Sequence, residues 1–364
     1  MCTTNFEHLC YGAPIDSVSR YIRAIYAPLV GSRLSNEQLL GRLAERFQTL
    51  EASDSEKQSL YDFVRLLLIG NRMRYIQPDQ FLWLDSFAAH AAAFTASIEE
   101  SINAIAEKIE AAPPPEPFDA VFGVSSAGLL LPGMAERASR RLPRLLSRTA
   151  TQMDISNGGC TASVRTLELV SKLGPEFRNV LILAMEPNST LIDSKTTVRA
   201  NWQGICTFSD GAAGVWVSNE PGEGALELGT TSSWRGDATE LIRWDLGTEY
   251  YRFGIAELEQ FEVQVRSQVL EAMSTLQVDK TPGATWAIHP AGILLLLSLA
   301  KKLGLNRAAL GPSLEHFKSC SNMSSVSILH ILQNLIRCAE PGQPIRWLSM
   351  GAGFHVASGG GVRV

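Results

Sequence analysis

The sequence predicts an α/β fold built twice over in one chain, preceded by a helical segment. Three observations carry this. Short apolar runs such as Asn179–Ala184 (NVLILA) read as buried strands, and they alternate with stretches whose apolar residues recur at helical spacing. One order of elements (strand, helix, helix start with small polar residues, strand, turn, strand) runs from about residue 120 to 217 and returns after residue 285. The two passages also close on related tetrapeptides, GVWV at 214–217 and GVRV at 361–364. The expected division is residues 1–217, including a helical segment 1–112, and residues 218–364.

Taken in order, Asp16 to Leu29 carries Val18, Tyr21, Ile22 and Ile25 at helical spacing and predicts a first helix. Ser35 and Gln38 form a capping box ahead of Leu39, Leu43 and Phe47. Ser55–Met73 and Phe81–Ala111 predict two more helices, the second stopped by Pro113-Pro114-Pro115. Ala120–Val124 reads as a strand and Leu129–Leu142 as a helix. Cys160, after two glycines and before small residues, opens a helix running to about Leu173. Phe208–Val217 is a turn leading into a strand, residues 218–253 hold strand-like pieces, and Ile255–Leu276 is an amphipathic helix. Thr285–Ile288 is a strand ending at His289-Pro290, Ala291–Leu303 a helix, and Asn322 opens another. Ile345–Met350 and Phe354–Val364 are the closing strands.

Composition narrows the class. The chain has 364 residues, 45% hydrophobic and 19% charged, enough for a large buried core. A formal net charge of −5 without a basic stripe argues against nucleic acid. The longest apolar run, Ala291 to Ala300, is too short to span a bilayer, and the N-terminus lacks the charged-then-apolar order of a signal peptide. Six scattered cysteines without CxxC spacing fit a reduced, cytoplasmic protein and supply no metal pattern.

Three residues at element ends stand out. A thiol at a helix N-terminus is favoured as thiolate by backbone N–H groups and the helix dipole, which makes Cys160 a candidate nucleophile. His289 could hold that thiolate as an ion pair. His289 and Asn322 could both donate to an enolate oxygen without bringing negative charge near it. Backbone N–H groups of Cys160 and of the loop Gly351-Ala352-Gly353 could hold a tetrahedral oxyanion. Asn322 could equally be a helix cap, and Asp245 and Glu249 read as solvated loop charges.

Six segments in order resemble the thiolase superfamily, and within it the chalcone synthase-like (type III) polyketide synthases and related ketosynthases. They are Gly159-Cys160, Phe208-Ser209-Asp210-Gly211-Ala212-Ala213, Trp244-Asp245-Leu246-Gly247, Trp286–Gly292 (WAIHPAG), Ser321–Ser325 (SNMSS) and Gly351-Ala352-Gly353. The resemblance implies a five-layered αβαβα fold, a homodimer, and decarboxylative Claisen condensation of acyl and malonyl thioesters in secondary metabolism. It implies Cys160, His289 and Asn322 as catalytic residues and no cofactor beyond the thioester substrates. Phe208, Ser126, Asn188, Ser324, Gly351 and Gly353 match substrate-binding positions. The segment that carries coenzyme A-binding lysines in the family is apolar here at Leu66-Leu67-Leu68, leaving Arg65, Arg72 and Arg74 for a phosphopantetheine phosphate and pointing towards an acyl carrier protein as donor. Two other expectations compete: acyl transfer from Cys160 to an amine or alcohol without decarboxylation, and a non-catalytic dimer subunit.

Overall fold

The computed structural model describes residues 18–68, 72–237, 240–246, 250–255, 258–278 and 281–364. Cys2, Cys10, His8, Gly247 and Glu249 lie outside them. The first part runs β1 (Tyr21–Tyr26), β2 (Ser32–Ser35), α1 (Asn36–Gln48), α2 (Asp54–Leu67), β3 (Met73–Ile76) and α3 (Phe87–Ala111). It continues with β4 (Phe118–Ser125), α4 (Met134–Arg141), β5 (Leu146–Ser156), α5 (Ala162–Ser171), β6 (Asn179–Glu186), α6 (Arg199–Thr207) and β7 (Gly211–Ser218). Then come β8 (Leu226–Arg235), β9 (Ile242–Leu246), β10 (Tyr251–Ile255), α7 (Leu258–Thr275), β11 (Thr285–Ile288), α8 (Ile293–Leu303), α9 (Arg307–Cys320), α10 (Val326–Cys338), β12 (Pro344–Gly351) and β13 (His355–Arg363).

The sheet displays the duplication. Nine strands lie in the order β11-β12-β13-β8-β1-β7-β6-β4-β5. Counting outward from the β1/β8 contact, the pairings are antiparallel, antiparallel and then parallel on both sides. One flank adds a fifth strand, β5, parallel to β4. The junction is narrow: β1 and β8 pair only at Tyr21–Glu227 and Ile22–Leu226.

Helices complete the layers. One face of the sheet on both flanks (Phe122, Ile182, Val215, Trp347, Ala357) packs on α5 and α10 through Val164, Leu167, Ile328 and Leu332. The outer face of one flank (Val121, Leu181, Trp216) packs on α3 and α4, and that of the other (Trp286, Leu348, Val356) on α7 and α8. The stack is therefore αβαβα. Leu167, Ile328 and Leu332 are fully buried, so each stabilises the central layer by about 1.5–3 kcal/mol.

Several expectations are corrected. The segment expected to be the first helix holds β1, because YIRAIY finds partners on both edges and Pro28 cannot continue a helix. The first 112 residues thus contribute β2 and β3 as well as helices. The helix expected from Leu129 begins only at Met134, after Pro132 and Gly133, where both Asp154 carboxylate oxygens accept the N–H groups of Met134 and Ala135 at 2.6 and 2.9 Å. β5, α6 and α9 are additional elements. The Ser35–Gln38 capping box and the strand Thr285–Ile288 are present as expected.

Candidate active site

The backbone of the Cys160 turn is held by serine side chains from both flanks of the sheet. It sits in a 3₁₀ turn, Gly159–Thr161, and α5 starts only after that turn, at Ala162. The approach passes through left-handed backbone at Asn157 (φ 60°) and Gly159 (φ 58°). Ser126, just past β4, accepts the Gly159 N–H at 2.8 Å, and Ser349 of β12 donates to the Cys160 carbonyl at 2.7 Å. A Cβ on Gly351 would lie 2.8 Å from the Cys160 nitrogen, so the glycine loop can approach the nucleophile's backbone only without a side chain. Gly353 (φ 65°) supplies the turn beyond it.

The segment before α10 faces this turn. Asn322 is pinned by its backbone: its N–H donates to Thr207 O at 3.1 Å, and its carbonyl accepts Ser209 N–H at 2.9 Å. Its Oδ1 accepts the Ser324 N–H at 2.8 Å, which leaves the amide NH₂ as donor towards the Cys160 sulfur. Ser324 is itself left-handed (φ 51°), a strained state for a non-glycine residue, and its hydroxyl lies 3.7 Å from Cys160 Sγ.

His289 ends β11, its N–H bonded to Leu348 O of β12 at 2.8 Å. Its ring is buried, and neither nitrogen has a hydrogen-bond partner among the described residues. Two orphaned nitrogens in one buried ring call for a polar ligand, since leaving such groups unpaired costs stability. Behind it, His316 and His330 meet edge to face at 5.8 Å.

Burial sets the protonation states. It pushes the Cys160 thiol up to about 12; Glu186 adds to the rise, and hydrogen bonds from Ser324, Asn322 and the Cys160 N–H only partly oppose it. It pushes His289 down to about 3. Burial therefore favours a thiol and a neutral imidazole over the ion pair expected from a cysteine at a helix mouth. Desolvation outweighs the few aligned N–H groups of the turn.

The sequence reading missed Glu186, at the end of the apolar strand β6. Its carboxylate lies under the site and accepts from Ser126 N–H (2.9 Å), Ser325 Oγ (2.6 Å) and Ser324 Oγ (3.3 Å). Burial raises it to about 7 against those hydrogen bonds. The folded chain thus keeps a proton that the unfolded chain loses near the ordinary value of 4.5, so stability declines as pH rises between those values and levels off above about 7. Asp210, raised to about 6, acts in the same direction. Glu186→Gln should flatten the decline by up to about 3 kcal/mol, read from urea midpoints at pH 5 and pH 7.5; an unchanged difference between the two midpoints would contradict a buried, protonatable Glu186.

The remaining expected residues divide. Ser126 and Ser324 border Cys160 as above. Phe208 and Asn188 line one apolar cavity, next to the backbone of Asn322. Arg74 does not face solvent: its guanidinium is fully buried and donates to the carbonyls of Ile205, Cys206 and Phe208, so it cannot grip a phosphate. Arg65 and Arg72 are exposed. Among the described residues, no group of three or more His, Cys, Asp or Glu could hold a metal. No described helix is long and apolar enough to cross a membrane.

No protein-family model matches the chain. Its sequence is similar to 1,3,6,8-tetrahydroxynaphthalene synthase of Streptomyces peucetius subsp. caesius, with 23% identity over 303 residues, 78% of this chain and 79% of that protein. The fold is similar to CsyB solved with CoA-SH (TM-score 0.78, 18% identity, 95% of this chain and 100% of that one). It is also similar to the C-terminal type III polyketide synthase domain of Steely1 from Dictyostelium (TM-score 0.77, 16% identity, 95% and 99%). The chain is thus like the type III polyketide synthases in sequence and shares their thiolase-like fold.

Proposed function

We propose that this type III polyketide synthase-like chain is a condensing acyltransferase that loads an acyl group on Cys160 and extends it with a malonyl-type thioester. Two observations carry the reading: a buried thiol flanked by Asn322 and Ser324, and a buried histidine after β11 whose two ring nitrogens have no hydrogen-bond partner among the described residues.

In the proposed cycle both groups start neutral, so the thiol ionises only as a thioester engages. His289 takes the Sγ proton as the sulfur–carbonyl bond forms, then returns it to the departing thiol. The tetrahedral oxyanion would be held by the Cys160 N–H and the Gly351–Gly353 backbone. With His289 neutral again, its N–H and the Asn322 amide would donate to the malonyl thioester oxygen, stabilising the enolate formed as carbon dioxide leaves. The enolate carbon attacks acyl-Cys160, the carbon–sulfur bond breaks, and the thiolate regains a proton from solvent.

β5 is an edge strand, and Leu131 (96% exposed), Leu129 and Met153 stand out near it, an arrangement suited to a second copy of the chain. The donor is a coenzyme A or carrier-protein thioester. The direct test is intact mass spectrometry after incubation with an acyl thioester, together with light scattering. One acyl group per chain, mapped to Cys160, at twice the chain mass is expected; an unmodified Cys160 would contradict the acyl-carrier role, and a monomeric mass the pairing.

A further inference from the structure

The cycle above asks two opposite things of His289. Its site nitrogen must be bare to take the Cys160 proton, and must carry a hydrogen to donate to the enolate oxygen. In an imidazole the state of one nitrogen follows from the bond that the other makes. A backbone carbonyl in that place only accepts, and so fixes one tautomer. His289 shows no such bond: both ring nitrogens are without a partner among the described residues, and Leu348 O accepts its backbone N–H. A third buried ring nitrogen in the same condition is His316 Nε2. Its place follows from α9, which packs along β11. Ser313 accepts the N–H of Ile288, the residue before His289, at 2.9 Å. His316 stands three residues further on, on the same face of the helix.

Buried histidines elsewhere in the chain satisfy a ring nitrogen on backbone. His90 bonds Thr190 O at 2.7 Å, and His330 of α10 donates to Ala212 O at 3.1 Å. His330 also meets the His316 ring at 5.8 Å and so holds it against β11 from the side of α10. Burial, then the charges that His330 and His289 would carry, keep His316 neutral. It therefore has one bare nitrogen, within electrostatic reach of His289. We propose that His316 is a positioning residue for His289, joined to it by one bridging water. The water donates to His316 Nε2 in both halves of the cycle. With its other side it accepts from the far N–H of His289 during loading, and donates to the bare far nitrogen when the hydrogen sits on the site nitrogen. A water held in this way supports both tautomers, and it gives the imidazolium formed during loading a hydrogen-bond acceptor.

The inference rests on the acyl-carrier reading of Cys160. It is tested in His316→Phe, which keeps a ring and removes both nitrogens, and in His316→Gln, which keeps a polar end able to hold a water. His316→Leu takes the place of His316→Phe should the latter not fold, as judged from melting curves. Acetyl loading of Cys160 from acetyl-N-acetylcysteamine is followed by mass spectrometry across thioester concentrations. The saturating rate of His316→Phe should fall by about ten-fold or more with the half-saturating concentration unchanged, and His316→Gln should stay within about three-fold of wild type. A folded His316→Phe that loads at the wild-type rate would overturn the proposal, and so would a His316→Gln as slow as His316→Phe. A wild-type protein that takes no acetyl group would overturn the acyl-carrier reading. Alkylation of Cys160 by iodoacetamide, which needs no acyl donor, then decides on His316: the same fall and the same rescue are expected, and an unchanged rate in His316→Phe would overturn its role.

Discussion

Cys160→Ala should abolish both acyl loading and condensation, lowering turnover by at least about 10³-fold, whereas Asn322→Ala should still load acyl groups and lose about 10²- to 10³-fold in carbon dioxide release. The contrast follows from position. Cys160 supplies the only sulfur among the candidate residues, and no neighbouring group can replace the covalent step. Asn322 is fixed by two backbone hydrogen bonds, and its Oδ1 is occupied by Ser324 N–H, so its free chemistry is the NH₂. Removing that donor leaves the thiol in place and takes away one of the two donors proposed for the enolate. Single-turnover loading by mass spectrometry and carbon dioxide release in the same samples separate the two steps. An Asn322→Ala variant that loses loading and decarboxylation equally would show that Asn322 serves the nucleophile rather than the enolate.

The second large effect is on stability. Arg74→Met should destabilise the fold by about 3 kcal/mol or more, because three backbone carbonyls, two of them in fully buried bonds, lose a charged donor together. Arg65→Met and Arg72→Met, at exposed positions, should stay within about 0.5 kcal/mol. Urea midpoints of the three variants decide the matter. A stable Arg74→Met variant with a raised KM for coenzyme A thioesters would restore Arg74 as a phosphate ligand. Burial pulls the Arg74 guanidinium down to about 10, yet it remains charged at neutral pH, and its contacts are to backbone alone apart from Asn36.

What could be read in the chain and what could not follows a physical line. Local signals survived: the Ser35–Gln38 capping box and the apolar run of β6 depend on neighbours in sequence. The order of the site segments also survived, because Cys160, Phe208, Asn322 and Gly351 each sit at a turn whose glycines and small residues are visible. Long-range pairing did not. β1 has apolar residues at positions 21, 22, 25 and 26, compatible with helix or strand, and only its two sheet partners decide. β5 is polar because it is an edge, so it lacks the apolar mark of a strand. The role of Arg74 and the neutral state of Cys160 depend on depth of burial, which no short stretch encodes. Glu186 had one usable signal: a carboxylate closing a strand whose every residue is buried.

Carbon–carbon bond formation by Cys160, His289 and Asn322 is tested most directly with an acetyl thioester and uniformly ¹³C-labelled malonyl thioester, following product and gas together. The expected result is a 3-oxoacyl product carrying two labelled carbons, one labelled carbon dioxide per bond formed, and passage through acetyl-Cys160. Acetyl groups leaving Cys160 for an amine or alcohol, with no labelled carbon dioxide, would contradict it.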